Sequence, residues 1–289
     1  MSLEFFARTD ITAENCPPMG VRAVAAALAN AGIEDAAYEA RCLFLRFGNP
    51  SSMILFGDEV SRSPELYYAV QRRLRREPLC YVLGDAEFYR EKYITTPAVL
   101  IPRQDTEILV DYAVKNLPCG ARFLDICTGS GCVAISVLKN TDATSALAVD
   151  ISPEAIEVAE KNRELNLGRD STRLTLAVAD ALEMECGERF DAILSNPPYI
   201  AEEVYRGLEA EIFYEPKIAF VGGGDDGADF YRALTAKYKN NLADGGFIAY
   251  EIGYDQAGSL RDIAEKNGFT CEIIKDYSSN DRVAVLRKK

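Results

Sequence analysis

The residues best equipped to do chemistry lie where apolar runs end. In Ala192-Ile193-Leu194-Ser195-Asn196-Pro197-Pro198-Tyr199-Ile200, two successive prolines contribute no backbone N–H, and each holds its predecessor extended. Asn196 and Pro197 therefore present carbonyl oxygens without competing local donors. The Asn196 side-chain oxygen and the Pro197 carbonyl can accept both hydrogens of a planar –NH2 group, with Pro198 shaping the turn and the face of Tyr199 beside it. Holding both hydrogens fixes the nitrogen and helps aim its lone pair at an electrophile. That chemistry suits methylation of an amide or an aromatic amine.

A second stretch, Phe123-Leu124-Asp125-Ile126-Cys127-Thr128-Gly129-Ser130-Gly131-Cys132-Val133, runs from an apolar strand through a glycine-containing turn into a helix. Its backbone N–H groups can approach a ligand at the carboxyl end of a strand, although an ordinary strand-to-helix turn has the same pattern. It lacks the G-x-G-x-x-G spacing and a Walker lysine, which weakens hydride transfer and phosphate cradling as readings. About 20 residues on, Asp150 ends the next apolar run and opens Ile151-Ser152-Pro153. A carboxylate there can accept from both hydroxyls of a ribose, or cap a helix. Asp180 ends the following run and can reach a base, or lie in solvent.

These turns need a scaffold, and the spacing of the chain supplies one. Strand-like segments at Arg122–Ile126, Ser145–Val149, Leu174–Val178, 192–195, 246–252, 271–274 and 283–287 alternate with helix-like segments at 133–139, 153–165 and 229–240. The alternation predicts a doubly wound α/β domain with a parallel sheet. Residues 1–84 instead predict a small helical bundle: a helix over 20–31 with Val21, Val24, Ala25 and Leu28 on one face, a second over 36–47 with Tyr38, Cys42 and Leu45 as its stripe, ending at Gly48-Asn49-Pro50, and a third capped by Ser63-Pro64 and running to Arg76. Residues 85–102 read as a β-hairpin linker, and residues 103–289 as the α/β domain, entered by an amphipathic helix from Asp105 to Asn116 with Thr106, Leu109, Val110 and Ala113 inward.

Composition removes whole classes of function. With no histidine among 289 residues, a Ser-His-Asp triad, a Cys-His dyad, a histidine base and His-ligated zinc are impossible. The eight cysteines are dispersed and none forms a CxxC pair, which suits free thiols in a reducing cytosol and implies no metal. Neither a secretory leader nor an apolar run long enough to span a bilayer is legible, and a cytoplasmic location is expected. The net charge of −13 divides into −1 for residues 1–84 and −12 for the rest. Such acidity repels phosphate backbones, so no stable nucleic-acid partner is expected. The run Arg72-Arg73-Leu74-Arg75-Arg76 is either a basic patch or a solvated helix face.

Asp125 to Gly131 together with Asp150 resembles the cofactor site of class I S-adenosylmethionine methyltransferases, and Asn196-Pro197-Pro198-Tyr199 resembles their amino-methylating branch. Along nearly its whole length the chain is similar to the HemK-type (PrmC-type) release factor glutamine methyltransferases. Glu77-Pro78-Leu79-Cys80-Tyr81-Val82-Leu83-Gly84, Glu87-Phe88-Tyr89, the stretch from Val99 through Pro102-Arg103-Gln104-Asp105-Thr106 to Glu107, Tyr214-Glu215-Pro216, Gly223-Gly224-Asp225-Asp226-Gly227 and Glu251-Ile252-Gly253 extend the likeness.

The resemblance implies methyl transfer from S-adenosyl-L-methionine, leaving S-adenosyl-L-homocysteine, to the glutamine side-chain nitrogen in the Gly-Gly-Gln motif of class I peptide chain release factors. It implies that the helical domain helps to dock the release factor; separately from the resemblance, a monomer is expected. By residue, it implies that Asp125 and Cys127, Thr128, Gly129, Ser130 and Gly131 line the methionine end of the cofactor, Asp150 the ribose, and Asp180 with Ala181 the adenine. Asn196 and Pro197 then hold the glutamine amide, with Pro198, Tyr199 and Arg103 also on the substrate side and Asn196 touching the cofactor. Cys127 stands where the family usually has glycine. Direct in-line displacement needs no covalent intermediate. Three other readings stay open: a glutamine methyltransferase acting on a ribosomal protein, a DNA adenine N6-methyltransferase, and an inactive adaptor that keeps the fold.

Overall fold

The computed structural model describes residues 11–48 and 60–289; the start of the chain and the Asn49-Pro50 helix stop lie outside them. The chain divides into two compact units, Met1–Leu83 and Gly84–Lys289. The first contains β1 (Met19–Gly20), α1 (Val21–Asn30), α2 (Ala36–Phe47), β2 (Val60–Ser61), α3 (Pro64–Leu74) and α4 (Leu79–Leu83). Strands β1 and β2 form a two-residue antiparallel ladder. Val24, Leu28, Leu43, Phe44, Leu66 and Val70 make its core. The face expected for α2 is corrected: Tyr38 and Leu45 are exposed, at 65% and 61%, and Ala36, Ala40, Leu43 and Phe44 face inward. Both sets have helical spacing. The second buries a phenylalanine and a leucine while leaving the Tyr38 hydroxyl near water.

Ser63 caps α3 as its sequence promises, its Oγ accepting from the Leu66 N–H at 3.2 Å, with Pro64 in the first helical position. The arginine run is mostly structural. Arg72 pairs with Glu77 at 2.5 Å and donates to the Tyr81 carbonyl; Arg73 is buried and pairs with Glu39 of α2 at 2.5 Å; Arg76 donates to the Gly32 carbonyl just beyond α1. The guanidinium groups of Arg72, Arg73 and Arg76 thus bind the bundle together.

The second unit begins with an antiparallel hairpin, β3 (Asp85–Phe88) and β4 (Glu91–Ile94). The extended pattern expected through Ile101 leaves the ladder after Ile94, where Pro97 has no N–H with which to continue it. Then come α5 (Glu107–Asn116), β5 (Arg122–Ile126), α6 (Cys132–Lys139), β6 (Ser145–Asp150), α7 (Pro153–Leu167), β7 (Leu174–Val178), β8 (Phe190–Ser195), α8 (Glu202–Tyr205), α9 (Asp229–Tyr238), β9 (Leu242–Glu251), α10 (Ala257–Lys266), β10 (Phe269–Lys275) and β11 (Asp281–Lys288).

The sheet order is β10-β11-β9-β8-β5-β6-β7. Strands β7, β6, β5, β8 and β9 run parallel, while β11 is antiparallel to both β9 and β10. Alternate residues supply two cores, as a sheet covered on both faces requires. Phe123, Ala148, Leu194 and Phe247 meet Leu109 of α5 and Ile135 of α6; Leu124, Val149, Ile193 and Ile248 meet Leu234 of α9 and Leu260 of α10. This is the doubly wound architecture expected from the sequence. Among the described residues no helix is long and apolar enough to cross a membrane.

Candidate active site

Strands β6 and β7 extend from β5 in one direction, and β8 and β9 in the other. The crevice where strand order reverses is where such sheets bind ligands, and a cavity opens there at the carboxyl ends of β5, β6 and β8. Asp125, Cys127, Thr128, Gly129, Ser130, Asp150, Asp180, Ala181, Asn196, Pro198 and Arg103 all line it. Gly131, Pro197 and Tyr199 do not. Gly131 serves the fold instead. At φ 80° it starts α6, and a Cβ there would stand 3.3 Å from that of Ala159 in α7.

The turn after β5 is wound by three left-handed residues, Cys127 (φ 59°), Gly129 (φ 54°) and Gly131. The Thr128 N–H donates to the Val149 carbonyl at 3.0 Å, and the Gly131 N–H to the Thr128 carbonyl at 2.8 Å. Behind the turn, Asp125 is 1% exposed and accepts from the Thr128 hydroxyl at 2.6 Å and the Ala134 N–H at 3.3 Å. Burial outweighs these bonds and pushes its pKa up to about 7. At the end of β6, one Asp150 oxygen accepts from the Gly129 N–H at 2.8 Å and the other from the Ser152 N–H at 3.0 Å. Burial raises this carboxyl too. Ionised, each oxygen keeps a further lone pair for a ligand. Asp180 accepts from the Leu182 N–H at 2.8 Å, and Ala179, Leu182 and Phe230 supply apolar wall around it.

The turn after β8 is held from three sides. The Ser195 hydroxyl donates to the Ile126 carbonyl at 2.6 Å, tying the end of β8 to the end of β5. Gln256 donates to the Tyr199 carbonyl at 2.9 Å, and Ile200 pairs with Val221. The glycine-rich segment packs directly on the turn: a Cβ on Gly222 would stand 2.5 Å from the Pro198 carbonyl oxygen, and one on Gly227 2.1 Å from that of Tyr199. Asn196 Nδ2 donates to Thr106 Oγ1 at 3.2 Å, leaving Oδ1 without a protein partner among the described residues. Tyr199 turns its hydroxyl toward Glu251 Oε1, at 3.3 Å.

Ala98, Val99, Leu100 and Pro102, from the segment that follows β4, also line the cavity. Asn162 of α7, fully buried, secures this side: it accepts from the Ile94 N–H and donates to the Ile94 and Ser130 carbonyls, standing in for a strand beside β4. Arg103 pairs with buried Glu215, whose other oxygen accepts from the Ile101 N–H at 2.9 Å. Sequence reasoning assigns no role in the site to Thr106, Glu215 or Glu251, although each lies in a motif quoted above. Phe230 carries no local signal at all.

The chain matches the model of the methyltransferase small domain over residues 104–225. It is 40% identical over 216 residues to a release factor glutamine methyltransferase of Geobacter sulfurreducens, covering 74% of each chain. To one of Clostridium acetobutylicum it is 41% identical over 223 residues, covering 75% of this chain and 77% of that protein. A solved structure of a ribosomal protein L11 methylase from Lactobacillus delbrueckii aligns at 21% identity and TM-score 0.48, covering 65% of this chain and 80% of that one. Sheet order, cavity and domain match together define a methyltransferase. Within that class, the chain belongs to the release factor glutamine methyltransferase family.

Proposed function

We propose that the cavity binds S-adenosyl-L-methionine and that the protein methylates the side-chain amide nitrogen of the glutamine in the Gly-Gly-Gln motif of class I release factors. The observation that carries this reading is the juxtaposition, in one cavity, of the buried Asp125 carboxyl and the half-buried Asp150 carboxyl with an Asn-Pro-Pro turn whose asparagine oxygen has no protein partner among the described residues. The donor set fits the cofactor. A buried carboxyl such as Asp125 favours a cationic ligand, Asp150 has acceptor capacity for a diol, and the apolar wall around Asp180 suits a flat base. When bound, S-adenosylmethionine supplies a methyl group made electrophilic by the positive sulfur that carries it.

The chain's own work is positioning and exclusion of water. Asn196 Oδ1 accepts one amide hydrogen and the other is assigned to the carbonyl of Pro197, which stands outside the cavity lining and must be reached by the entering amide; these bonds strengthen as positive charge builds on nitrogen. Neither residue takes up a proton; the proton that the methylated nitrogen sheds, made strongly acidic by its positive charge, passes to solvent. We assign Asp125 and 127–130 to the methionine end, Asp150 to the ribose, Asp180 and Ala181 to the adenine, and Pro198, Tyr199 and Arg103 to the acceptor side, while Gly131 keeps to its role in starting α6. Tyr199 acts through its contact with Glu251 rather than as a wall of the cavity. The helical unit is assigned to docking the release factor.

The test is methyl transfer from labelled S-adenosylmethionine to a purified class I release factor, beside one whose Gly-Gly-Gln glutamine is replaced, with duplex DNA and ribosomal proteins in parallel. Label on the intact release factor alone is expected. Label on DNA or a ribosomal protein instead overturns the acceptor, and absence of label despite cofactor binding overturns the role of Asn196.

A further inference from the structure

An asparagine amide presents an acceptor at one end and a donor at the other, and a rotation of half a turn exchanges them. Only one orientation can receive the hydrogens of an acceptor –NH2 group, so something must forbid the other. In this protein the side chains behind Asn196 form a short chain of hydrogen bonds with a direction. Asn196 Nδ2 lies 3.2 Å from Thr106 Oγ1, and Thr106 Oγ1 lies 2.5 Å from Glu251 Oε2. The second Glu251 oxygen lies 3.3 Å from the Tyr199 hydroxyl. Glu251 is 2% exposed and stands outside the cavity lining, at the end of β9, so it touches neither acceptor nor cofactor.

We propose that Glu251 is a positioning residue, which through Thr106 fixes the end of the Asn196 amide that faces the acceptor. This rests on the reading of Asn196 as the group that holds the acceptor nitrogen. An ionised carboxylate can only accept. It takes the single hydroxyl proton of Thr106, and the remaining lone pairs of Thr106 can then only receive an N–H from Asn196. Were the amide reversed, its oxygen would face an oxygen with no proton to offer. A protonated Glu251 loses this authority, because it can donate to Thr106, which is then free to turn its own proton toward Asn196 and admit the wrong orientation.

The ionisation of Glu251 therefore sets the proportion of correctly oriented Asn196. Burial raises the Glu251 carboxyl most strongly, Arg282 of β11 opposes that rise, and Asp105 adds to it; Tyr199, Tyr231 and Cys132 are the other titratable groups facing it. Arg282 is shared with Asp105 at 3.2 Å and Asp276 at 3.3 Å, which dilutes its pull on Glu251. The balance leaves Glu251 titrating at about 7. Turnover should thus gain with rising pH through neutrality as the carboxylate forms.

The test uses the full chain and the near-isosteric variant Glu251→Gln, whose amide can donate to Thr106 and stays uncharged. In the unaltered protein the Asn196 side-chain 15N signals, assigned by their absence from Asn196→Ala, should shift with a midpoint near that of Glu251; in Glu251→Gln they should not. With labelled S-adenosylmethionine and a release factor, Glu251→Gln should lose about tenfold or more in kcat, in the range of other supporting-residue substitutions, with cofactor affinity by calorimetry unchanged and the acidic limb of the kcat profile gone. Asn196 signals indifferent to that titration, or a variant with the parent kcat and the parent acidic limb, would overturn the inference. Should the unaltered protein fail to methylate the release factor, the acceptor reading falls, while the amide titration still decides whether Glu251 orients Asn196.

Discussion

An amide nitrogen is a poor nucleophile, so the groups that hold its hydrogens must contribute more in the transition state than in the ground state. Asn196→Ala is accordingly expected to lower kcat by about 10²-fold or more, the scale seen when one preorganised polar contact is removed. Cofactor affinity should be nearly unchanged, because Asp125, Asp150 and the glycine turn stay in place; single-turnover kinetics beside calorimetry separates the two. Cys127 presents a different balance. Its φ of 59° costs a side chain about 1–2 kcal/mol relative to glycine, against which a glycine would forfeit about 0.5–1 kcal/mol of chain entropy and the packing of the sulfur. These terms offset, and Cys127→Gly should change stability in urea by less than about 1 kcal/mol. Cys127→Val, β-branched in the same left-handed conformation, should cost about 2 kcal/mol or more. A valine variant as stable as the parent would mean that the turn relaxes out of that conformation.

The turn that carries Asn196 takes its shape from the segment packed on it. Gly227→Ala places a methyl 2.1 Å from the Tyr199 carbonyl oxygen at a φ of +69°, so the two segments must separate. Activity should fall at least tenfold, the scale of a lost supporting contact, with the helical content retained. Gly258→Ala is the control: its Cβ meets nothing within 4 Å and its φ is not positive, so a gain of about 0.5 kcal/mol is expected, with turnover unaltered. Equal activity in the two variants would remove the packing argument. These packed glycines also show where sequence reasoning stops. The bounds of β5, β7 and α2 and the acids at the ends of β5 and β6 are readable, because periodicity and strand-end chemistry are local. Helix α10 escapes such a reading although Ala257, Leu260, Ile263 and Ala264 recur at helical spacing, since Gly253 and Gly258 punctuate its start. From sequence Tyr199 reads as a wall of the site, yet its hydroxyl faces Glu251, 52 residues away. Contacts between separate strand ends leave no periodic trace in the chain.

At the scale of the whole molecule, ionisation links the site to stability. Asp125 and Glu251 each titrate at about 7 in the folded protein, against ordinary values of 3.8 and 4.5. The folded state therefore binds these two protons more tightly than the unfolded chain does. The resulting stabilisation is fully present below the unfolded values and is lost as pH rises through about 7. Unfolding free energy in denaturant, without cofactor, should thus be greater near pH 5 than near pH 8. The net charge of −13 at pH 7 biases stability in the same direction through self-repulsion, but that effect acts between surface charges and should fade in high salt, where burial of two carboxyls is little screened. In about 1 M salt, the unaltered protein should retain most of its pH slope. Asp125→Asn and Glu251→Gln should each remove a large share of it, because a group that never ionises contributes no linkage, and Asp150 and Glu215, whose carboxyls burial also raises, supply the remainder. Saturating S-adenosylmethionine should flatten the slope chiefly through Asp125, since a cation in the cavity stabilises that carboxylate while leaving Glu251, outside the lining, to titrate as before. A slope that vanishes with salt would assign it to the surface acids instead, and a slope untouched by either substitution would mean that neither carboxyl is protonated in the folded state.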